Sequence, residues 1–211
     1  MIDVYAFATP NSIKVPIALE ELGLAYQLKP VNVRKGEQKQ ADFLDLNPNG
    51  KVPVLVDPGG PDGAPLTLTE SAAILVYLAE KTGKLLPTGG VARARVFEQL
   101  FFHASGLGPA FGQAGFFKHN DEKMPTAIAR FDTEANRTLA VLDGVLARSE
   151  FSAGEDFTIS DIAHFGWLWR REFAGIDLSN APHVARWYDT VSKRPAVQRA
   201  IERTSALVPQ N

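Results

Sequence analysis

Polar and apolar positions follow two different rhythms along this chain, and the rhythm changes near residue 83. Before it, strand-length apolar runs alternate with helical spacings. Ile2-Asp3-Val4-Tyr5-Ala6-Phe7 reads as a short strand. Thr9-Pro10-Asn11 then predicts a helix start, with a hydroxyl N-cap and proline at the first helical position. Val15, Leu19 and Leu22 keep one face of that helix apolar, and Gly23 ends it. Tyr26 to Val33 reads as a second strand, with Pro30 marking an edge or a bulge. Gln38 to Leu46 predicts a short helix or helical turn. Val52 to Val56 and Pro65 to Leu68 read as strands joined by the turn Pro58-Gly59-Gly60-Pro61-Asp62-Gly63. Glu70 to Lys81 completes the order β-α-β-α-β-β-α.

After residue 90 every periodic segment is helical. Arg93 to His103 carries a helical pattern that Gly106, Gly108 and Pro109 disturb. Ile128, Phe131, Ala135, Leu142 and Leu146 form one stripe of a long helix. Ile162 to Trp169 is apolar almost all round, as in a buried helix. Pro182 and Pro195 each suit the first turn of a further helix. The expected division is 1–82 for an α/β domain, 83–90 for a linker and 91–211 for an all-helical domain.

Composition narrows the chemistry. The 211 residues include no cysteine, which excludes disulfides, thiolate metal sites and a cysteine nucleophile. His103, His119, His164 and His183 show no tight metal-ligand spacing, so no metal site is expected. A net charge of −2 makes nucleic acid and acidic membrane surfaces poor partners. No apolar run has the length of a membrane span. Met1-Ile2-Asp3-Val4 lacks a basic n-region, so no signal peptide is expected and the cytoplasm is the expected compartment.

Candidate chemistry concentrates in two stretches. Asn49-Gly50-Lys51-Val52-Pro53-Val54-Leu55 is a loop that enters an apolar strand through a Val-Pro bond. Val52-Pro53 is either cis, turning the Val52 backbone outward to pair with a peptide ligand, or a plain trans bond opening the strand. Leu68-Thr69-Glu70-Ser71-Ala72-Ala73-Ile74 places an acid and a hydroxyl at a helix start. The acid answers the helix dipole there, or it takes an α-ammonium group while Ser71 takes the neighbouring carboxylate. An extended edge beside a helix N-terminus can hold a small peptide by its main chain and its carboxylate. Thr9 and Asn11 are a plain cap or two donors for a thiolate. Phe157-Thr158-Ile159-Ser160-Asp161-Ile162 is a capping box with a staple of Phe157 on Ile162, a structural device worth about 1 kcal/mol. Phe101, Phe102, Phe111, Phe116, Phe117 and Trp167 are apolar walls for a second substrate or ordinary core.

Taken in order, these motifs resemble those of the cytosolic glutathione transferases along essentially the whole chain. Asn47-Pro48-Asn49-Gly50-Lys51-Val52-Pro53 is similar to that family's cis-proline loop, Thr69-Glu70-Ser71 to its γ-glutamyl site, and the Thr158-to-Asp161 box to its folding motif. The resemblance implies an α/β thioredoxin-like first domain followed by an all-α second domain. Thr9-Pro10-Asn11, Gly36-Glu37-Gln38, Gly106-Leu107-Gly108-Pro109 and Ala127-Ile128-Ala129-Arg130-Phe131 resemble most the bacterial Nu-class proteins, including disulfide-bond oxidoreductases that lack a catalytic cysteine. It implies thiolate donors at Thr9 and Asn11, and glutathione contacts at Gln38, Lys51, Val52, Pro53, Glu70, Ser71 and Arg130. It also implies glutathione as cosubstrate, no metal, and a homodimer. The activity implied is thiolate-driven reduction of disulfides, conjugation to electrophiles, or both. Tyr5 lies inside the first strand and reads as core, and Ala8 cannot serve where serine-using classes place a hydroxyl. The alternatives are an ordinary conjugating transferase and a non-catalytic glutathione-fold module that binds a partner.

Overall fold

The computed structural model of the chain describes residues 1–209. They form two compact units, one made of residues 1–84 together with the segment from Arg194 on, the other of Leu85–Lys193.

The first unit is a four-stranded mixed sheet covered by helices. Its strands are β1 (Ile2–Ala6), β2 (Tyr26–Pro30), β3 (Val54–Asp57) and β4 (Leu66–Thr69), in the spatial order β2-β1-β3-β4. β1 and β2 run parallel, with Ile2 opposite Tyr26 and Ala6 opposite Pro30. β1–β3 and β3–β4 are antiparallel, with Tyr5 opposite Val54 and Val54 opposite Thr69. Pro30 therefore ends an edge strand, where its missing N–H costs no ladder bond. Alternation sends Val4 and Leu55 to one face of the sheet, and both are fully buried. There α1 (Lys14–Leu22) and α3 (Ser71–Thr82) pack together and bury Ile17, Leu19, Ile74, Leu75 and Leu78. Tyr5 and Val54 point to the other face and join Val31 and the Phe43 of α2 (Ala41–Leu46) in a smaller cluster. The Tyr5 and Phe43 rings meet edge-on at 6.5 Å, so Tyr5 has the packing role its place in the strand predicts.

The second unit holds α4 (Gly90–Phe102), α5 (Gly108–His119), α6 (Pro125–Leu146), α7 (Ile159–Trp169) and α8 (Pro182–Ser192). The predicted disturbance at Gly106 to Pro109 is a single π-helical turn, His103–Leu107, that joins α4 to α5 without a break. A Cβ on Gly108 would meet the His103 carbonyl at 3.1 Å and the Trp167 indole nitrogen at 3.2 Å, so glycine admits the close approach of α7. Phe111 and Trp167 are core, whereas Phe101 and Phe116 are more than half exposed.

The end of the chain departs from the expected domain division. α9 (Pro195–Ser205), assigned from the sequence to the helical domain, packs on α1. Arg194 grips Glu21 through two bonds of 2.6 and 2.9 Å, while Arg199 and Arg203 reach Glu20 at 2.7 and 3.0 Å. Ala196, Val197 and Ala200 are buried behind these pairs. Periodicity reports that a helix exists and which face is apolar, but not which distant acid its arginines will meet.

Candidate functional site

Two segments separated by the β3–β4 hairpin converge with the turn before α1. Val52-Pro53 is cis and leads directly into β3. Glu70 is the N-cap of α3 and has φ +66°, a left-handed backbone that a glutamate rarely adopts. Such a conformation costs on the order of 1–3 kcal/mol and persists where the surroundings impose it, often at binding sites. Ser71 begins the helix beside it.

The loop before the cis bond is braced by Asn47, which is buried. Its Nδ2 donates to the Lys51 carbonyl at 2.6 Å, and its Oδ1 accepts the Asn49 N–H at 3.1 Å. Gly50 has φ +61°, and a Cβ there would meet Lys39 Nζ at 2.8 Å and the Gln38 carbonyl at 3.0 Å. Glycine is thus required both by the turn and by the segment lying against it.

Asn11, Asn47, Lys51, Val52, Pro53, Glu70 and Ser71 line one pocket. Its volume is about 50 Å³, enough for a carboxylate rather than a whole tripeptide. A peptide anchored there would therefore lie mostly over the surface. Two larger hollows of about 380 Å³ each are lined by residues such as Tyr26 and Arg203, or Pro30 and Leu207, without an acid and hydroxyl at a helix start.

The predicted residues fare unequally. Asn11, Lys51, Val52, Pro53, Glu70 and Ser71 come together in the pocket. Thr9 does not line it. The predicted helix start also shifts, because α1 begins only at Lys14 and residues 10–13 form a turn. Thr9 still behaves as a cap for that turn: its Oγ1 accepts the Ser12 N–H at 3.2 Å, and its hydroxyl donates to Ser12 Oγ at 2.9 Å. Gln38 sits on a 3-10 turn, Glu37–Lys39, with its Nε2 donating to the Val33 carbonyl at 3.4 Å. Its buried Oε1 has no hydrogen-bond partner among the described residues. Arg130 belongs to the second unit, on the outer face of α6, where it pairs with Glu134 at 3.5 Å.

Lys14 was not anticipated. It is 2% exposed, and its Nζ donates to Asn11 Oδ1 at 2.8 Å and to Ser71 Oγ at 3.4 Å. Burial drives its pKa down to about 7, against the opposing pull of the Glu70 carboxylate. The only trace of it in the sequence is one charge inside the apolar run Ile13-Lys14-Val15.

The folding device at the start of α7 is present. The Asp161 carboxylate accepts from the N–H groups of Thr158 at 2.9 Å and Ser152 at 2.8 Å, and from the Trp187 indole at 2.9 Å. The Thr158 hydroxyl takes the Ser160 amide, at 3.4 Å. Phe157 stacks edge-on with Phe151 at 5.7 Å.

Comparison with known proteins matches both halves of the chain. Residues 8–81 fit the glutathione S-transferase N-terminal domain, and residues 107–195 fit the glutathione S-transferase C-terminal domain. The chain is 42% identical over 205 residues to the disulfide-bond oxidoreductase YfcG of Escherichia coli, covering 95% of this chain and 94% of that protein. A glutathione transferase family member from Pseudomonas fluorescens, solved with two glutathione molecules bound, superposes with a TM-score of 0.90 at 40% identity, covering 95% and 92%. A glutathione transferase from Pseudomonas putida, solved with one glutathione disulfide per subunit, gives 0.88 at 38% identity, covering 95% and 90%. A thioredoxin-like sheet domain, a helical domain and these matches together place the chain in the glutathione S-transferase family.

Proposed function

We propose that this protein is a glutathione-dependent oxidoreductase of the Nu class, which reduces disulfides through the thiolate of bound glutathione. The observation that carries the reading is the pocket itself: an acid and a hydroxyl at the start of α3 face a cis-proline loop, with an asparagine amide alongside. In this reading Glu70 takes the α-ammonium of the γ-glutamyl group, and Ser71 takes its carboxylate. Val52 pairs with the peptide backbone in extended fashion, and Pro53 and Lys51 border it. Gln38 has an unsatisfied oxygen and one long hydrogen bond, so turning toward a ligand costs it little. Asn11 stabilises the sulfur as a preorganised donor, and Thr9 joins it once its hydroxyl turns away from Ser12. Arg130 is carried by the family resemblance alone.

The chain has no cysteine, so it supplies no sulfur nucleophile of its own. The glutathione thiolate attacks one sulfur of the substrate disulfide, forms a mixed disulfide, and releases the other sulfur as a thiolate. A second glutathione thiolate attacks the mixed disulfide and releases the product thiol, leaving glutathione disulfide. The similarity to YfcG and to structures holding two glutathiones or one glutathione disulfide supports this sequence over conjugation. We also read the protein as a cytoplasmic homodimer. The resemblance to cytosolic members supports the compartment. Val91 and Phe101 on α4, 76% and 66% exposed in the single chain, supply an apolar face for a second subunit.

The deciding experiment compares glutathione-dependent reduction of hydroxyethyl disulfide with conjugation of a chloronitrobenzene, alongside glutathione binding by calorimetry. Faster disulfide reduction is expected. Efficient conjugation without reduction would make the protein an ordinary transferase. No binding of glutathione would make it a non-catalytic module.

A further inference from the structure

We infer that Lys14 is a positioning residue that commits two pocket side chains, Asn11 and Ser71, to donate hydrogen bonds toward an anionic ligand. The inference rests on the glutathione reading above and extends it to a residue outside the pocket lining.

The charge on Lys14 restricts what its neighbours can present to it. An ammonium group has three donors and no acceptor. An asparagine beside it must therefore present its carbonyl oxygen, as Asn11 does at 2.8 Å. With Oδ1 held on Lys14, the Asn11 NH₂ group is turned away from the ammonium, and Asn11 is a pocket-lining residue. Ser71 follows the same logic. Its Oγ accepts from Lys14 at 3.4 Å, which leaves its own hydroxyl proton to donate elsewhere. Asn11 lies where the thiol is expected and Ser71 where the γ-glutamyl carboxylate is expected. One buried cation thus sets the donor direction at two points of the ligand, its central thiol and its γ-glutamyl carboxylate.

The surroundings make this a costly arrangement that packing alone does not call for. Lys14 is fully enclosed at the start of α1, among Ile13, Val15 and Ile17, all 0% exposed. An apolar side chain of similar length would fill the same space without a desolvation penalty. α3 presents Glu70, the carboxylate that acts on Lys14, at its start. The charged groups between α9 and α1, Arg194, Arg199 and Arg203, pair with Glu20 and Glu21 in the last turns of α1. A neutral lysine amine can accept as well as donate, so loss of the proton would release Asn11 to rotate. Burial brings that proton loss close to neutrality, at a pKa of about 7.

The test is the ionisation of bound glutathione, followed by ultraviolet thiolate absorbance across pH, in wild type, Lys14→Met, Asn11→Ala and the double variant. Lys14→Met is expected to raise the apparent pKa of the bound thiol by roughly 0.5–1.5 units. It should slow disulfide reduction by about 3- to 30-fold. In its background, Asn11→Ala should add little, because the amide has already lost its fixed direction. Full additivity of the two changes would overturn the inference, as would a Lys14→Met protein whose melting temperature moves but whose bound-thiol pKa does not. If Lys14→Met does not fold, Lys14→Gln serves instead: its amide can present oxygen or nitrogen to Asn11, so the same upward shift is expected. Wild-type protein that fails to bind S-methylglutathione would refute the glutathione reading itself, whereas wild-type binding with an unmoved variant pKa would refute only the role of Lys14.

Discussion

Single residues in the pocket have separable jobs, and their substitutions should separate as well. Glu70 is solvent-exposed at its N-cap position, so its attraction for an ammonium group is partly screened. Glu70→Ala should therefore weaken glutathione binding by only about 1–2 kcal/mol, read by calorimetry. An unchanged dissociation constant would remove Glu70 from the site. Asn11 lines the pocket with its oxygen already engaged, while the Thr9 hydroxyl is committed to Ser12. Asn11→Ala should slow disulfide reduction by roughly 5- to 150-fold. Thr9→Ala should cost less, since Thr9 must first break its bond to Ser12. Tyr5→Phe should matter little, because the Tyr5 ring packs on Phe43. Turnover abolished by Tyr5→Phe alone would mean a tyrosine mechanism. Lys14 also leaves a mark on stability. Its pKa falls from 10.5 to about 7 on folding, so between those values the unfolded chain binds the extra proton. The destabilisation due to this group is complete below about pH 7 and fades as pH rises toward 10.5. Urea unfolding at several pH values should show Lys14→Met gaining most over wild type on the acid side of neutrality, and a gap that does not change with pH would contradict the buried charge.

The elements gather their stability in different places. At α7 it rests on one carboxylate that receives the N–H groups of Ser152, Thr158 and Trp187 inside the core. Asp161→Ala would strand all three donors, and should destabilise the second unit by about 3–5 kcal/mol in denaturant unfolding. A loss near 1 kcal/mol, the value of a simple cap, would show that the network is not cooperative. The Thr158–Asp161 pair is readable in the sequence because its members lie three residues apart, whereas the Trp187 donor, 26 positions away, is not. The succession of strands and helices along residues 1–82 is readable too, since alternation and turn residues act locally. The cis-proline loop and the acid-hydroxyl pair were readable for the same reason. What stayed hidden depends on distant contacts. Lys14 reaches Ser71 across 57 positions in the chain, and Arg194 reaches Glu21 across 173. Nothing in the run Ile13-Lys14-Val15 says that its charge is held inside rather than projected outward. The Thr9-Pro10-Asn11 signal predicts a start of α1 several residues before Lys14 for a subtler reason. Thr9 does accept the Ser12 N–H as a cap would, but the residues between them form a turn before the regular helix begins.

At the scale of the whole molecule, α1 and α9 are joined by acids on one helix and arginines on the other. Burial works against the charged form of Glu20, but hydrogen bonds from Arg199, Tyr26 and Arg203 outweigh it and hold the carboxyl below its usual range. A group depressed in this way adds stability above its unfolded pKa and gives it up as pH falls through the folded value. Glu20→Gln should accordingly lose the acid-side share of this stabilisation, measured as a smaller drop in melting temperature between neutral and acid buffer than wild type shows. The path of the chain carries a further consequence. The polypeptide leaves the sheet unit at Lys84 and returns to it at Arg194, so that unit is sewn from both ends of the sequence. Cutting the exposed stretch at 88–90 would produce two polypeptides, each incomplete. The first would lack the helix that covers α1, and the second would carry that helix with nothing to cover. Each supplies what the other is missing, so this protein should behave as a natural split protein: two inactive pieces that restore glutathione binding when mixed, with α9 returning to α1.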